Sequence, residues 1–170
     1  SVESPLSIHL GQGLARHDRM DWIIQKAVEC GVTTITPLIT EKSIIKLKND
    51  RVAHKVSHWQ EIIVSACEQS GRTCIPKLLD PTPLKDWVDS AFEGESIVFA
   101  PNAKNPLKPR VLSHPTLRLL LGPESGLSDK ELRWAYEKGF LAHHLGPRIL
   151  RTETATIAAL STVQVCFGDM

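Results

Sequence analysis

The stretch Leu145-Gly146-Pro147-Arg148-Ile149-Leu150-Arg151-Thr152-Glu153-Thr154-Ala155 decides how this chain is read. It continues an apolar run at 140–145 that predicts a strand, and it leads into an apolar helix expected over 153–167. Gly146 and Pro147 make a turn, and the charged side chains Arg148, Arg151 and Glu153 then crowd around the helix start. Thr152 is the expected N-cap, and Glu153 suits the positive end of the helix dipole. The plain alternative is that Arg151 and Glu153 pair with each other and only pin the loop.

The same strand, Gly-Pro, helix logic occurs once earlier. Thr116-Leu117-Arg118-Leu119-Leu120-Leu121 predicts a buried strand, Gly122-Pro123-Glu124-Ser125-Gly126-Leu127 a turn, and Ser128-Asp129-Lys130-Glu131 a capping box that opens a helix ending at Gly139. Gly122 and Gly126 would let the backbone approach a ligand closely, and Pro123 stiffens the turn. In open α/β sheets ligands sit outside the carboxyl ends of strands, which is where both turns must lie.

Working outward, apolar runs and helical stretches alternate as in an α/β domain. Strands are expected at 6–10, 33–39, 75–79 and 96–100, and helices at 18–30, 51–69 and 84–92. Pro37 argues that the second strand ends early or lies at an edge. The chain has 170 residues, enough for one domain with its own core, and it is 42% hydrophobic and 23% charged, which excludes a disordered or fibrous chain. Lys plus Arg is 20 against 19 for Asp plus Glu, so any nucleic-acid binding must rest on local patches. Two are visible: Lys104, Lys108, Arg110 and Arg118 within 104–118, and Lys42, Lys46, Lys48, Arg51 and Lys55 within 42–55. No apolar run is long enough to span a membrane, and Ser1-Val2-Glu3-Ser4-Pro5 has neither an initiator Met nor a signal-peptide pattern. We therefore expect a cytoplasmic chain, processed or cut from something longer. Cys30, Cys67, Cys74 and Cys166 have no metal-ligand spacing, so reduced thiols, mostly in the core, and no metal are expected.

At the two turns the sequence resembles a known family. Gly122-Pro123-Glu124-x-Gly126-Leu127-Ser128, the 145–155 stretch, Asp21-Trp22-Ile23-Ile24-Gln25-Lys26-Ala27-x-Glu29-x-Gly31-Val32 and Glu68-Gln69-Ser70-Gly71-Arg72 are similar to the SPOUT-class methyltransferases that modify N3 of a uridine in 16S ribosomal RNA of the small subunit. The resemblance implies a mostly parallel sheet flanked by helices with a C-terminal trefoil knot, a homodimer, and S-adenosylmethionine as cofactor. It also implies a single domain over 1–170, with 1–17 resembling the linker and first strand that follow a small PUA-like RNA-binding domain. Ser125 stands where the family usually has Gly; a positive φ there would cost Ser about 1–2 kcal/mol.

On that reading the cofactor is expected on Leu120, Leu121, Gly122, Pro123, Gly126, Leu145, Gly146, Ile149 and Leu150, with Thr152 and Ala155 closing the pocket. Arg148 and Arg151 are expected to hold RNA phosphate or the forming uridine anion, and Glu124 and Glu153 are the candidate bases. His143 and His144 are given no catalytic role. Two other classes compete. A nucleotide-dependent oxidoreductase would use Gly11-Gln12-Gly13 as a glycine-rich turn after the first strand, although Arg16 stands where the third glycine belongs. A non-catalytic RNA-binding or assembly module would keep a degenerate knot.

Overall fold

The computed structural model describes residues 1–43 and 49–170. In chain order these form β1 (Ser7–Gly13), α1 (His17–Glu29), β2 (Thr34–Ile39), α2 (Asn49–Ser70), β3 (Lys77–Leu78), β4 (Thr82–Pro83) and α3 (Leu84–Asp89). Then come β5 (Glu95–Phe99), β6 (Thr116–Leu121), α4 (Asp129–Glu137), β7 (Leu141–His143) and α5 (Thr152–Phe167). The seven strands make one sheet in the order β3-β2-β1-β6-β5-β7, with β4 beside β2, and every pairing is parallel. The expected fold class is therefore present as a parallel sheet with helices on both faces.

Strand periodicity sorts the two faces. Leu117, Leu119 and Leu121 of β6 join Ile8 and Leu10 of β1 in the larger core, under Ile23 and Ala27 of α1, Trp59 and Ile63 of α2, and Leu160 and Val163 of α5. Leu120 joins the smaller core with Trp87 and Val88 of α3 and Ala135 of α4. Fully burying each such Leu or Ile contributes about 1.5–3 kcal/mol, so strands and helices share the stabilisation of the core.

Several expectations are corrected. Pro37 sits in an interior strand, paired with Gln12 of β1. Ile35 accepts a bond from Leu79 on the β3 side, and residues two apart share a side. The missing N–H of Pro37 therefore falls where pairing to β3 stops at Leu78 and that to β4 begins at Thr82. That break also reduces the strand expected at 75–79 to two residues. Arg118 is not part of an exposed basic loop. On β6 it faces the smaller core, with its guanidinium 4.5–5.4 Å from the ring centres of Phe140, Phe92 and Trp87, and it donates to Ser96 and to the Trp87 carbonyl. Of the cysteines, Cys30 and Cys67 are buried and Cys74 is exposed. Among the described residues no helix is long and apolar enough to cross a membrane.

From β1 the sheet grows one way through β2 and β3 and the other way through β6, β5 and β7. The order of connection thus reverses between β1 and β6, the place where an open parallel sheet leaves a crevice at its carboxyl edge. Gly13 ends β1 and Leu121 ends β6 at that crevice.

Candidate active site

Backbone contact between β1 and the first turn comes before any side chain. A Cβ on Gly13 would lie 2.6 Å from both Cδ and N of Pro123, and one on Gly11 would lie 2.6 Å from the Trp87 ring. Both glycines lie inside β1, not in a turn after it, and both are small because something presses on them. This removes the basis for the oxidoreductase reading, which needs that turn to cradle a phosphate.

Between the glycines, Gln12 is fully buried. Its Nε2 donates to the Gly13 carbonyl (3.0 Å), Thr152 Oγ1 (3.2 Å) and the Gly122 carbonyl (3.4 Å), and its Oε1 accepts from Thr156 Oγ1 at 2.6 Å. Thr152 is not the N-cap. Arg151 holds that position with no side-chain cap, and Thr152, buried in the first turn of α5, donates its hydroxyl to the Gly122 carbonyl at 2.8 Å. Its hydroxyl is committed within the fold.

The rest of the first turn is equally tied down. Gly126 takes the left-handed conformation at φ +76° and donates its N–H to the Pro123 carbonyl, with Ser125 exposed beside it. The capping box forms as expected: Ser128 accepts from the Glu131 amide while Glu131 Oε1 accepts from the Ser128 amide. The other oxygen of Glu131 accepts from the Glu41 amide, joining this turn to the chain after β2. Glu124 Oε1 accepts from the Arg16 amide at 2.6 Å and lies 3.6 Å from Arg19 Nη1.

Arg19 also lies 4.0 Å from Glu153 Oε2, so one guanidinium of α1 stands between the two candidate bases. At that distance the Glu153 contact is an ion pair without a hydrogen bond, and among the described residues the buried Glu153 Oε2 has no hydrogen-bond partner. Arg151 is exposed, and among the described residues its side chain forms no ion pair, so the alternative in which it pins Glu153 fails.

The second turn contrasts with the first. Pro147, Arg148 and Ile149 are exposed, Ile149 at 92%. Gly146 has φ +99°, and its amide donates to His144 Nδ1. A Cβ at Gly146 or Gly126 would meet nothing within 4 Å, so both backbones face open space. Leu120 and Leu121 point into the two cores, so they can offer a ligand only backbone. Leu145 and Ala155 pack partly against the larger core, and Leu150 is half-buried. His143 Nε2, at the end of β7, is a second buried polar atom without a partner among the described residues.

The 104–118 patch is more anchored than its composition suggests. Pro106 pairs with His144, Leu107 is buried, and Arg110 forms an ion pair with Glu95 while its guanidinium lies over Phe167. Hydrogen bonding by Arg110 holds the Glu95 carboxyl below its ordinary range. With Arg118 buried and Arg110 paired with Glu95, Lys104 and Lys108 are the patch's exposed cations that form no ion pair among the described residues. In the 42–55 patch Lys42 and Arg51 are exposed, and Lys46 and Lys48 lie outside the described residues. An open groove of about 730 Å³ runs along α2 past Val56, Gln60 and Val64, away from both turns.

Gln12 and Arg19 are the site residues that the sequence reading missed. A glutamine inside an apolar strand is a signal that could have found the first. Arg19 has no such mark, because its partners lie more than a hundred positions away.

Comparison with known proteins gives a consistent result. The profile of the RNA methyltransferase domain family matches residues 2–164. The Ribosomal RNA small subunit methyltransferase E of Buchnera aphidicola subsp. Schizaphis graminum is 42% identical over 171 aligned residues, covering 100% of this chain and 70% of that protein. The protein of the same name from Bacillus subtilis is 31% identical, covering 95% of this chain and 66% of its own length. A putative methyltransferase from Legionella pneumophila, solved with the cofactor SAM, superposes with a TM-score of 0.92 at 44% identity, over 99% of this chain and 70% of that one. The Neisseria gonorrhoeae Ribosomal RNA small subunit methyltransferase E, bound to S-adenosyl methionine, gives 0.89 at 40% identity, over 99% and 69%.

Proposed function

This chain belongs to the RNA methyltransferase domain family, and from that premise we propose that it methylates N3 of a uridine in the 16S RNA of the small ribosomal subunit, with S-adenosylmethionine as methyl donor. The observation that carries the reading is the pair of turns at the carboxyl ends of β6 and β7, each with a glycine backbone open to a ligand at Gly126 and Gly146. Relatives of this chain are named as small-subunit ribosomal RNA methyltransferases, and two similar structures are solved with S-adenosylmethionine bound.

The residues present fit the cofactor. Open glycine backbone, half-buried apolar Leu145 and Leu150, and the unpartnered buried polar atoms His143 Nε2 and Glu153 Oε2 suit a ligand with an apolar ring and polar edges. The backbones of Leu121, Gly122 and 145–150 would hold it. When bound, it supplies an electrophilic methyl group on a sulfonium. The chain's own share is orientation, since in-line transfer needs no covalent help from the protein.

The uridine N3 proton must leave as the methyl arrives. Glu153 is the better placed acceptor, because Glu124 already uses Oε1 on the Arg16 amide while Glu153 keeps Oε2 free of hydrogen bonds. Arg148 and Arg151, exposed on the second turn, are assigned to RNA phosphate or to the uracil oxygens as negative charge develops. Lys104, Lys108, Lys42 and Arg51 would hold flanking backbone, with the target base splayed out of its stack.

Three further parts belong to the same proposal. The protein is a cytoplasmic homodimer, whose partner covers the side of α5 that carries exposed Val165. The described fold is one catalytic domain working with a separate RNA-binding domain. The C-terminal segment is knotted, a reading supported by the return of α5 to the core shared with α1 and β6 after β7 takes its place beyond β5.

Calorimetric titration of the chain with S-adenosylmethionine and, separately, with NADH tests the reading. Stoichiometric heat with the first and none with the second is expected. No heat from S-adenosylmethionine at concentrations far above micromolar would overturn it.

A further inference from the structure

We propose that Gln12 is a positioning residue for methyl transfer: its buried carboxamide, clasped by the hydroxyls of Thr152 and Thr156, sets the first turn and the start of α5 in register with each other. The proposal rests on the cofactor reading above. It concerns a residue that is fully buried, with its carboxamide bonded only within the fold.

The clasp joins three remote parts of the chain. Gln12 lies one residue before the end of β1 at the crevice, Gly122 begins the first turn, and Thr152 and Thr156 occupy successive turns of α5. Thr152 Oγ1 accepts from Gln12 and donates to the Gly122 carbonyl, so the turn's first carbonyl receives from both. Thr156 Oγ1 has one proton and two acceptors in reach, Gln12 Oε1 at 2.6 Å and the Thr152 carbonyl at 3.0 Å. Each polar atom of the carboxamide has a partner.

An apolar side chain of similar length would fill the same space without needing those partners. Burying an amide is unfavourable unless it is bonded, so the core alone gives no reason for glutamine here. What the amide adds is direction. A hydrogen-bonded carboxamide fixes the aim of the Gly122 carbonyl and the rotation of the first turn of α5, where apolar packing would fix only volume. That first turn carries Glu153 beside Thr152, with Arg151 as its N-cap. Through the clasp, the residues assigned to cofactor, proton and RNA are held in one frame.

Thr162 provides an internal comparison. Its hydroxyl also donates within α5, to the Ala158 carbonyl at 2.7 Å, but it reaches no other segment. Thr156→Val and Thr162→Val each remove one buried or half-buried hydroxyl from the same helix. The test measures S-adenosylmethionine affinity by calorimetry and melting temperature by circular dichroism on both variants, on Thr156→Ser and on Gln12→Met.

We expect Thr156→Val and Gln12→Met to weaken cofactor binding about tenfold or more while remaining folded, and Thr156→Ser to come within about twofold of the parent, since it restores the hydroxyl. Thr162→Val should bind as the parent does. A lower melting temperature with unchanged affinity in Thr156→Val and Gln12→Met would overturn the proposal, as would equal loss of affinity in Thr162→Val. Failure of both Thr156→Val and Gln12→Met to fold would make the clasp a folding element and also overturn it. If the parent chain takes up no S-adenosylmethionine in the same titration, the cofactor reading falls and this inference falls with it, an outcome distinct from the other three.

Discussion

The two Gly-Pro turns look alike in sequence and differ in almost every structural respect. At 122–128 the backbone is pressed against Gly13, the first carbonyl receives bonds from Gln12 and Thr152, Glu124 is held by the Arg16 amide, and a capping box closes the far end. At 145–151 Pro147, Arg148, Ile149 and Arg151 stand in solvent, α5 starts without a side-chain cap, and Gly146 has one bond to His144. One turn is finished by the fold, while the other leaves its groups available. A site that must admit a cofactor and a flipped nucleotide needs both: a fixed wall to define position and an open side whose bonds are made by what binds.

The most damaging change falls on the finished turn. Gly13→Ala drives a methyl into the backbone N and ring Cδ of Pro123, which cannot rotate away, and it should destabilise the fold by about 3 kcal/mol and abolish cofactor binding. Urea unfolding followed by fluorescence measures the first effect. A stability within about 0.5 kcal/mol of the parent would mean that the two segments are not in contact.

On the open turn the expectation reverses. Arg151→Ala should leave melting temperature and cofactor affinity as they are while lowering methyl transfer to small ribosomal subunits about a hundredfold, because the lost interaction acts only once uridine is present. Glu153→Gln should lower transfer by a similar factor if Glu153 takes the N3 proton. Parallel loss of affinity and stability in Arg151→Ala would make that residue part of the wall and erase the contrast.

A change remote from both turns sharpens the comparison. Arg72, buried, donates to Glu3 and to the carbonyls of Val28 and Val32, and Glu3 also accepts from the Thr73 and Cys74 amides. Arg72's hydrogen bond is the first cause holding the Glu3 carboxyl below its ordinary range. A lowered native value means that the stabilisation is present above the unfolded value and is lost as pH falls through the native one. Glu3→Gln should therefore cost about 2 kcal/mol at neutral pH and flatten the acid side of melting temperature against pH, with cofactor affinity unchanged. An unaltered acid limb would count against a stabilising Arg72–Glu3 pair.

Arg19→Ala gives the smallest effect. Its pairs with Glu124 and Glu153 are long and partly solvated, so a loss of about 1 kcal/mol or less is expected, visible as a small drop in melting temperature.

How much of this was legible in the sequence depended on the range of the interactions. β6 matches its expected bounds, 116–121, because a continuous apolar run buried on both faces is a local pattern. The capping box was equally local. Pro37, Arg118 and Thr152 were misread for one shared reason: the partner that decides each lies far along the chain. The break between β3 and β4 accommodates Pro37, three aromatic rings surround Arg118, and the Gly122 carbonyl takes the hydroxyl of Thr152. The turns were found from their glycines and prolines, but nothing in their composition said which was finished and which was open.

Amide hydrogen exchange with and without S-adenosylmethionine tests the central claim most directly. The account predicts that 122–128 is already protected in the free chain and changes little, while 145–151 exchanges quickly alone and becomes protected on binding. Equal exchange of the two turns in the free chain, or protection that appears elsewhere and leaves 145–151 unchanged, would contradict it.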